Sequence, residues 1–185
     1  MDAVEAAFAA TPRPGFLPAD QREQAGHDGP LEIGYGQTNS QPSTVAAMLR
    51  LLDVRAGQRV LDVGSGSGWT TALLAHLVGR HGHVRGIEVV PELVTVGAAN
   101  LAATDRPWAS ISAAAPEVLG DPDHAPYDRI LVSAEARRMP TELLDQLADA
   151  GRMVVPVAGV MRLAVRDGNR FRESRHGHYR FVPLR

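Results

Sequence analysis

Residues 60–75 read VLDVGSGSGWTTALLA, a compact apolar run, three glycines at alternate positions, and then an apolar stretch of helical spacing. The run RVLDVG (59–64) predicts a buried strand and the segment from Trp69 a helix, which leaves Gly64, Gly66 and Gly68 in the turn between them. Glycines at such a turn reach positive φ and let the backbone approach a bound molecule, beside a helix N-terminus whose N–H groups lack intrahelical partners. A dinucleotide loop of the GxGxxG kind requires glycine at position 69, which is tryptophan here. The observed GxGxG, with Asp62 two residues ahead of it, suits instead a nucleoside that carries an amino-acid tail.

The same alternation continues on both sides. HVRGIEVV (83–90), WASISAA (108–114), YDRILVSA (127–134) and RMVVPVA (152–158) read as strands. PELVTVGAANLAA, opened by Pro91, and PTELLDQLADAG, begun at Pro140 and closed by Gly151, read as the helices between them. Ahead of the first strand, Val45, Met48, Leu49 and Leu52 repeat at helical spacing behind Ser43, the predicted cap. The first forty residues, rich in Pro and Gly, predict a short helix near residues 2–10 and then an irregular arm, so residues 1–42 form an arm that supplies a loop to the site. Asp167-Gly168 predicts a hairpin in the tail. Strands alternating with helices imply right-handed crossovers. The expected fold is therefore α/β: a doubly wound, mostly parallel twisted sheet with helices on both faces and antiparallel C-terminal strands. Ligands of such sheets sit at the carboxyl ends of the strands.

The length of 185 residues suits one domain over 1–185, and 44% hydrophobic with 22% charged residues is a globular composition. No apolar run approaches the roughly eighteen residues of a membrane span. A formal charge of −2 provides no basic field for a phosphate backbone, so neither nucleic acid nor membrane is an expected partner. The chain has no cysteine, which excludes disulfides and thiolate metal sites, and its N-terminus carries acids where a secretory signal carries positive charge. A cytoplasmic protein, expected to be a monomer, fits these features.

Glu88 ends the predicted strand that follows the glycine loop, twenty residues after Gly68, where a carboxylate can accept from the hydroxyls of a ribose. With the D-x-G-x-G-x-G pattern in phase with strand, turn and helix, this points to S-adenosyl-L-methionine. The expected cofactor residues are Asp62, Gly64, Ser65, Gly66, Ser67, Gly68, Glu88 and its neighbour Val89.

Five segments, LEIGYGQTNSQPSTVAAM, VLDVGSGSGWTTALLA, APYDRILVSA, PTELLDQLADAGRMVVPV and YRFVPL, resemble in order and spacing the protein-L-isoaspartate (D-aspartate) O-methyltransferases. The similarity runs from Arg13 to Leu184. It implies a Rossmann-like methyltransferase fold, S-adenosyl-L-methionine as cofactor, and esterification of L-isoaspartyl residues in peptides and proteins, a protein-repair reaction. It also implies that Ser40 stands beside the reacting carboxylate and that Gly64 to Gly68 line the methionine and ribose.

The loop IGYGQTNSQP (33–42) contains no group that takes or gives a proton near neutrality. A carboxylate, with a pKa near four, is already an ionised nucleophile at neutral pH, and methyl transfer from a sulfonium needs no general base. Neutral hydroxyls suffice to hold it in line without a competing ion pair. Ser40 and Thr38 are thus the candidate catalytic residues, with Gln37 and Asn39 on the substrate side.

The chain departs from the family pattern at several positions. The GDGxxG segment that flanks adenine in the family falls on APEVLG, so Pro116 and Glu117 replace Asp and Gly and only Gly120 is kept. Glu117 then becomes the candidate acceptor for the adenine amino group. Glu32, Asn39 and Glu135 also differ from the family and are expected near the acceptor cleft. They leave two alternatives open: methylation of an aspartate in a dedicated precursor peptide, or a non-catalytic homologue with weakened cofactor binding. The pairs His81/His83 and His176/His178 lack a third ligand and read as surface residues, so no metal is expected. Arg137 and Arg138 read as a solvated loop pair, and Trp69 as core.

Overall fold

The structure, a computed structural model, describes residues 2–184. Five α-helices and nine strands lie in these residues: α1 Ala3–Ala9, β1 Leu31–Gly34, β2 Gln37–Asn39, α2 Pro42–Leu52, β3 Arg59–Val63, α3 Trp69–Val78, β4 His83–Glu88, α4 Pro91–Ala102, β5 Ala109–Ala113, β6 Tyr127–Val132, α5 Thr141–Leu144, β7 Leu147–Val157, β8 Val160–Asp167 and β9 Arg170–His178. Seven strands form one sheet in the order β5-β4-β3-β6-β7-β8-β9. Strands β3 to β7 are parallel, while β8 and β9 run antiparallel to their neighbours, with Asp167 and Arg170 paired across the expected hairpin.

Alternate residues of the central strands enter two cores, as a sheet covered on both faces requires. Val60, Val84, Leu131 and Val154 pack with α1, α2 and α3, while Leu61, Val63, Ile130, Val132 and Met153 pack with α5 and the segments around it. The cover is unequal. Helices α1 to α3 lie on the first core, whereas the second is closed by the single turn α5, by Leu119 and Ala125 from the loop before β6, and by Leu184 of the tail. No helix of the described residues is long and apolar enough to cross a membrane.

The helix read over 140–151 is only Thr141–Leu144, because Leu147 joins the ladder opposite Tyr127 and Ala150 takes a positive φ of 58°, which ends any helix. Leu143, Leu144 and Leu147 are buried as a helical period predicts, but strand pairing decides the backbone. Ser43 does not cap α2. Pro42 opens that helix, and the Ser43 N–H donates at 2.9 Å to Asp28, a carboxylate brought in from the arm. The arm is not irregular throughout: beyond two 3-10 turns, Leu31 pairs with Asn39 and Glu32 with Thr38 in a two-stranded hairpin.

Candidate active site

A cavity of about 640 Å³ opens at the carboxyl ends of β3, β4, β5 and β6. The chain here leaves the β3-β4-β5 side of the sheet and resumes on the other side of β3 with β6, the switch point where doubly wound sheets bind ligands. Residues 64–67 form one wall, Gln37 to Ser40 of the hairpin a second, Ala114 to Gly120 a third, and Ser133, Ala134 and Val182 to Leu184 the fourth.

The glycine wall is tightly tied. Gly64, Gly66 and Gly68 have φ of 80°, 51° and 92°, left-handed values that favour glycine. Position 68 is closed to any other residue for a second reason, since a Cβ there would lie 2.8 Å from the Gly97 carbonyl of α4. The N–H groups of Gly64 and Ser65 both donate to the Ile87 carbonyl, and Asn100 donates to the Ser67 carbonyl at 3.0 Å. Glu88 is buried and accepts from the N–H groups of Gly66 at 2.9 Å, Val89 at 2.8 Å and Val90 at 3.0 Å. A carboxylate has about four acceptor sites, so these bonds leave about one, on Oε2, for a ribose hydroxyl. Two hydroxyls require the Gly66 N–H to let go.

Asp62 lies behind the loop and does not line the cavity. Its Oδ2 accepts from the hydroxyls of Thr70 and Thr71, each at 2.7 Å, and its Oδ1 is buried without a partner. Burial pushes its carboxyl up to about 6, with a further push from the charge of Glu88, against the two threonine bonds. Gly68 also packs beneath the wall, while Ser65, Gly66, Ser67, Glu88 and Val89 face the cavity.

The hairpin wall is organised by Arg13, which the sequence does not single out. Its guanidinium is buried against the Trp69 ring and donates from Nε to Asn39 Oδ1 at 2.8 Å, and from its two terminal nitrogens to the carbonyls of Ala25, His27, Gly29, Asn39 and Ser40. Asn39 is therefore turned inward, where it also donates to Ser67 Oγ at 3.4 Å and couples the hairpin to the glycine loop. The Gln37 amide reaches back to the Tyr35 carbonyl. Among the described residues no protein group bonds the hydroxyls of Thr38 or Ser40, and both residues line the cavity. Trp69 is buried, donates to the Thr11 carbonyl and packs edge-on to Phe8, as expected of a core residue.

The third wall is the loosest. Ala115 to Val118 are exposed, and Glu117 sits at φ 59°, so the residue standing where the family has glycine holds a glycine-like backbone. Gly120 is held from behind by Gln146, which donates to the Leu119 carbonyl and accepts from the Asp121 N–H, and a Cβ at 120 would run into that amide. On the fourth wall the tail is strapped to Glu135, whose N–H donates to the Val182 carbonyl and whose carbonyl accepts from the Leu184 N–H. Glu32 is exposed and directly opposite Thr38 in the hairpin register.

Glu88 and Glu117 are the ionisable side chains lining the cavity; it has no histidine, lysine, cysteine or tyrosine among the described residues. No group of three or more acids and histidines among them is placed to hold a metal. The arrangement fits a nucleoside cofactor: the glycine backbone admits close approach, Glu88 keeps an open acceptor site, and the mostly apolar stretch Ala114 to Leu119 lines the third wall. Arg13, Gln146 and the tail strap escape sequence reading because each acts through partners far away in the chain. The APYD and YRFVPL segments were the signal that could have pointed to the last.

The family model described as protein-L-isoaspartate(D-aspartate) O-methyltransferase (PCMT) matches residues 1–185. The chain is 44% identical over 185 residues to the protein-L-isoaspartate O-methyltransferase of Aeropyrum pernix, covering 96% of this chain and 70% of that protein. It is 41% identical over 186 residues to the enzyme of that name from Methanopyrus kandleri, covering 98% and 82%. A solved PCMT from Plasmodium falciparum, in complex with S-adenosyl-L-homocysteine, superposes with a TM-score of 0.88 at 26% identity, over 100% of this chain and 91% of that one. Another solved protein-L-isoaspartate O-methyltransferase shares the fold with a TM-score of 0.90 at 24% identity, and this chain spans 61% of it. On the match of its whole sequence and of its fold, this chain belongs to the protein-L-isoaspartate O-methyltransferase family.

Proposed function

We propose that residues 1–185 act as one catalytic unit that methylates the side-chain carboxylate of L-isoaspartyl residues in peptides and proteins, using S-adenosyl-L-methionine. The ester then cyclises to a succinimide, whose hydrolysis restores some normal aspartate. The observation that carries this reading is a cavity lined by two hydroxyls, Thr38 and Ser40, that no protein group bonds among the described residues, with Glu88 and Glu117 as its ionisable side chains.

The cofactor, when bound, supplies an electrophilic methyl group. Glu88 and the Gly64–Gly68 backbone hold its nucleoside end, and Glu117 lies where the adenine edge falls by family position. Ser40 and Thr38 donate to the acceptor carboxylate and fix its direction, an effective-molarity contribution that needs no proton transfer. Arg13 sets the position of both hydroxyls by clamping the carbonyls of Asn39 and Ser40. The apolar tail residues Val182 and Leu184 keep water from the acceptor and sharpen these bonds.

Incubation with labelled cofactor and an isoaspartyl peptide, beside its aspartyl twin, tests the proposal. Label on the isoaspartyl peptide alone is the expected result, and equal or absent labelling of both would overturn it. The register that sets Glu32 opposite Thr38 favours one second reading, a more particular acceptor such as an aspartate of a dedicated precursor peptide. Label on the aspartyl twin alone selects it.

A further inference from the structure

One edge of the main sheet is β9, which pairs only with β8 among the described residues. An edge strand presents unpaired N–H and C=O groups to any extended chain. Residues 170–180 hold Arg170, Arg172, Arg175 and Arg180 with His176 and His178, against the single acid Glu173, in a chain of net charge −2. The four arginines are exposed. Of these, Arg170, Arg175 and Arg180 have no carboxylate within ion-pair distance among the described residues, whereas Arg172 meets Asp167 at 3.6 Å on open surface. Direction is the second observation. β9 is antiparallel to β8, and β8 to β7, so β9 runs parallel to β6 and β7 and ends on the side of the sheet where the cavity opens. The chain then continues through Tyr179 and Phe181, which pack into the core, into Val182 to Leu184, the fourth wall of the cavity.

We propose that the β9 edge is a docking track for the protein substrate: an extended, acidic segment flanking the acceptor adds to the sheet alongside β9 and leads the acceptor into the cavity. This rests on the methyltransferase reading above. Main-chain ladder bonds supply register and the arginines supply selection by charge. A second copy of the chain is a poor occupant, because edge-to-edge pairing of β9 brings two arginine-rich edges together. Glu32 is exposed opposite Thr38 in the hairpin, so the basic edge gives an acidic flank another side of the molecule on which to lie.

The test uses a neutral isoaspartyl core peptide and two extensions of it, each carrying a flank of nine residues, the length of β9, that alternates threonine with either glutamate or lysine. Both flank positions, before and after the acceptor, are made. KM and kcat are read by methylation, and affinity separately by anisotropy of fluorescein-labelled peptides. With the better flank position, the glutamate peptide is expected to have a KM and Kd roughly tenfold below those of the lysine peptide, with kcat within about twofold. The difference should shrink in high salt and vanish in R170E/R172E/R175E, which touches no residue of the cavity and should leave methylation of the neutral core unchanged. Proline at alternate threonines of the glutamate flank keeps its charge but removes ladder donors, and should raise KM. Equal KM and Kd for the two flanks, a preference that survives the triple substitution, indifference to proline, or single-stranded DNA displacing the glutamate peptide as readily as unlabelled peptide does would each overturn the proposal. Failure to methylate the neutral core would instead overturn the isoaspartyl reading, with anisotropy still deciding the docking track.

Discussion

Two walls of one cavity are built in opposite ways. Along Gly64–Gly68 the backbone is tied at several points: Glu88 takes the Gly66 N–H with those of Val89 and Val90, Ile87 takes those of Gly64 and Ser65, Asn100 takes the Ser67 carbonyl, and a Cβ at 68 has no room. Along Ala115–Val118 the chain is exposed, and the firm support comes from Gln146 behind Gly120. The departures from the family pattern at Pro116 and Glu117 fall on the second wall, where a new side chain displaces nothing. A tied wall tolerates little change of sequence and a free one tolerates much, so substitutions in the first should cost stability and cofactor binding together, and those in the second mainly affinity.

The largest effect expected is from Gly68→Ala, which combines a left-handed backbone with a collision against α4. It should lose about 3 kcal/mol or more of unfolding free energy in urea, along with cofactor binding. A loss below about 1 kcal/mol would mean that the wall is not tied at that point.

Glu88→Ala leaves three loop N–H groups without their acceptor. Calorimetry with S-adenosyl-L-homocysteine should show binding weaker by about 2 kcal/mol. An unchanged affinity would remove Glu88 from the cofactor site.

Asp62 tests the buried side of the same wall through pH. Its folded pKa, about 6, lies above the value of an unfolded aspartate, so its contribution to stability is complete below about pH 4 and is lost as pH rises through about 6. Asp62→Asn, which still accepts from Thr70 and Thr71, should therefore gain on the parent by about 2 kcal/mol between pH 4 and pH 7. Parallel stability curves for the two proteins would show that the carboxyl is not perturbed.

On the free side the effects are smaller. Ser40→Ala should lower kcat about tenfold while leaving cofactor affinity within about twofold. Glu117→Gly restores the residue that its φ favours and should leave stability within about 1 kcal/mol of the parent. It should also weaken cofactor binding a few-fold if Glu117 accepts from the adenine amino group. Tighter binding would assign the glutamate no part in holding adenine.

What could be read in the sequence divides along the same line. The glycine loop, the place of Glu88 at a strand end and the alternation of strands with helices were legible because short-range pattern and chemistry coincide there: a strand, a turn that needs positive φ, and a carboxylate at the next strand end. The helix expected over 140–151 failed because Leu147 meets the helical period and the strand ladder equally well, and pairing with Tyr127 decides between them. Ser43 looked like a cap because of its place before the apolar period, yet the cap comes from Asp28, whose neighbourhood is set only when the arm folds back. Arg13 is the plainest case. One arginine in a proline-rich stretch carries no local signal, although its donors reach acceptors from Ala25 to Ser40 and fix the hydroxyl wall.

The central claim is that the acceptor arrives ionised and is held by neutral hydroxyls, so that no group on the enzyme has to take a proton. The direct measurement is kcat against pH, at saturating cofactor and isoaspartyl peptide. A rate that is flat from about pH 6 to pH 9 is the prediction, with any fall confined to the acid side where carboxylates protonate. A limb rising through about pH 7, the mark of an enzyme base, would contradict it.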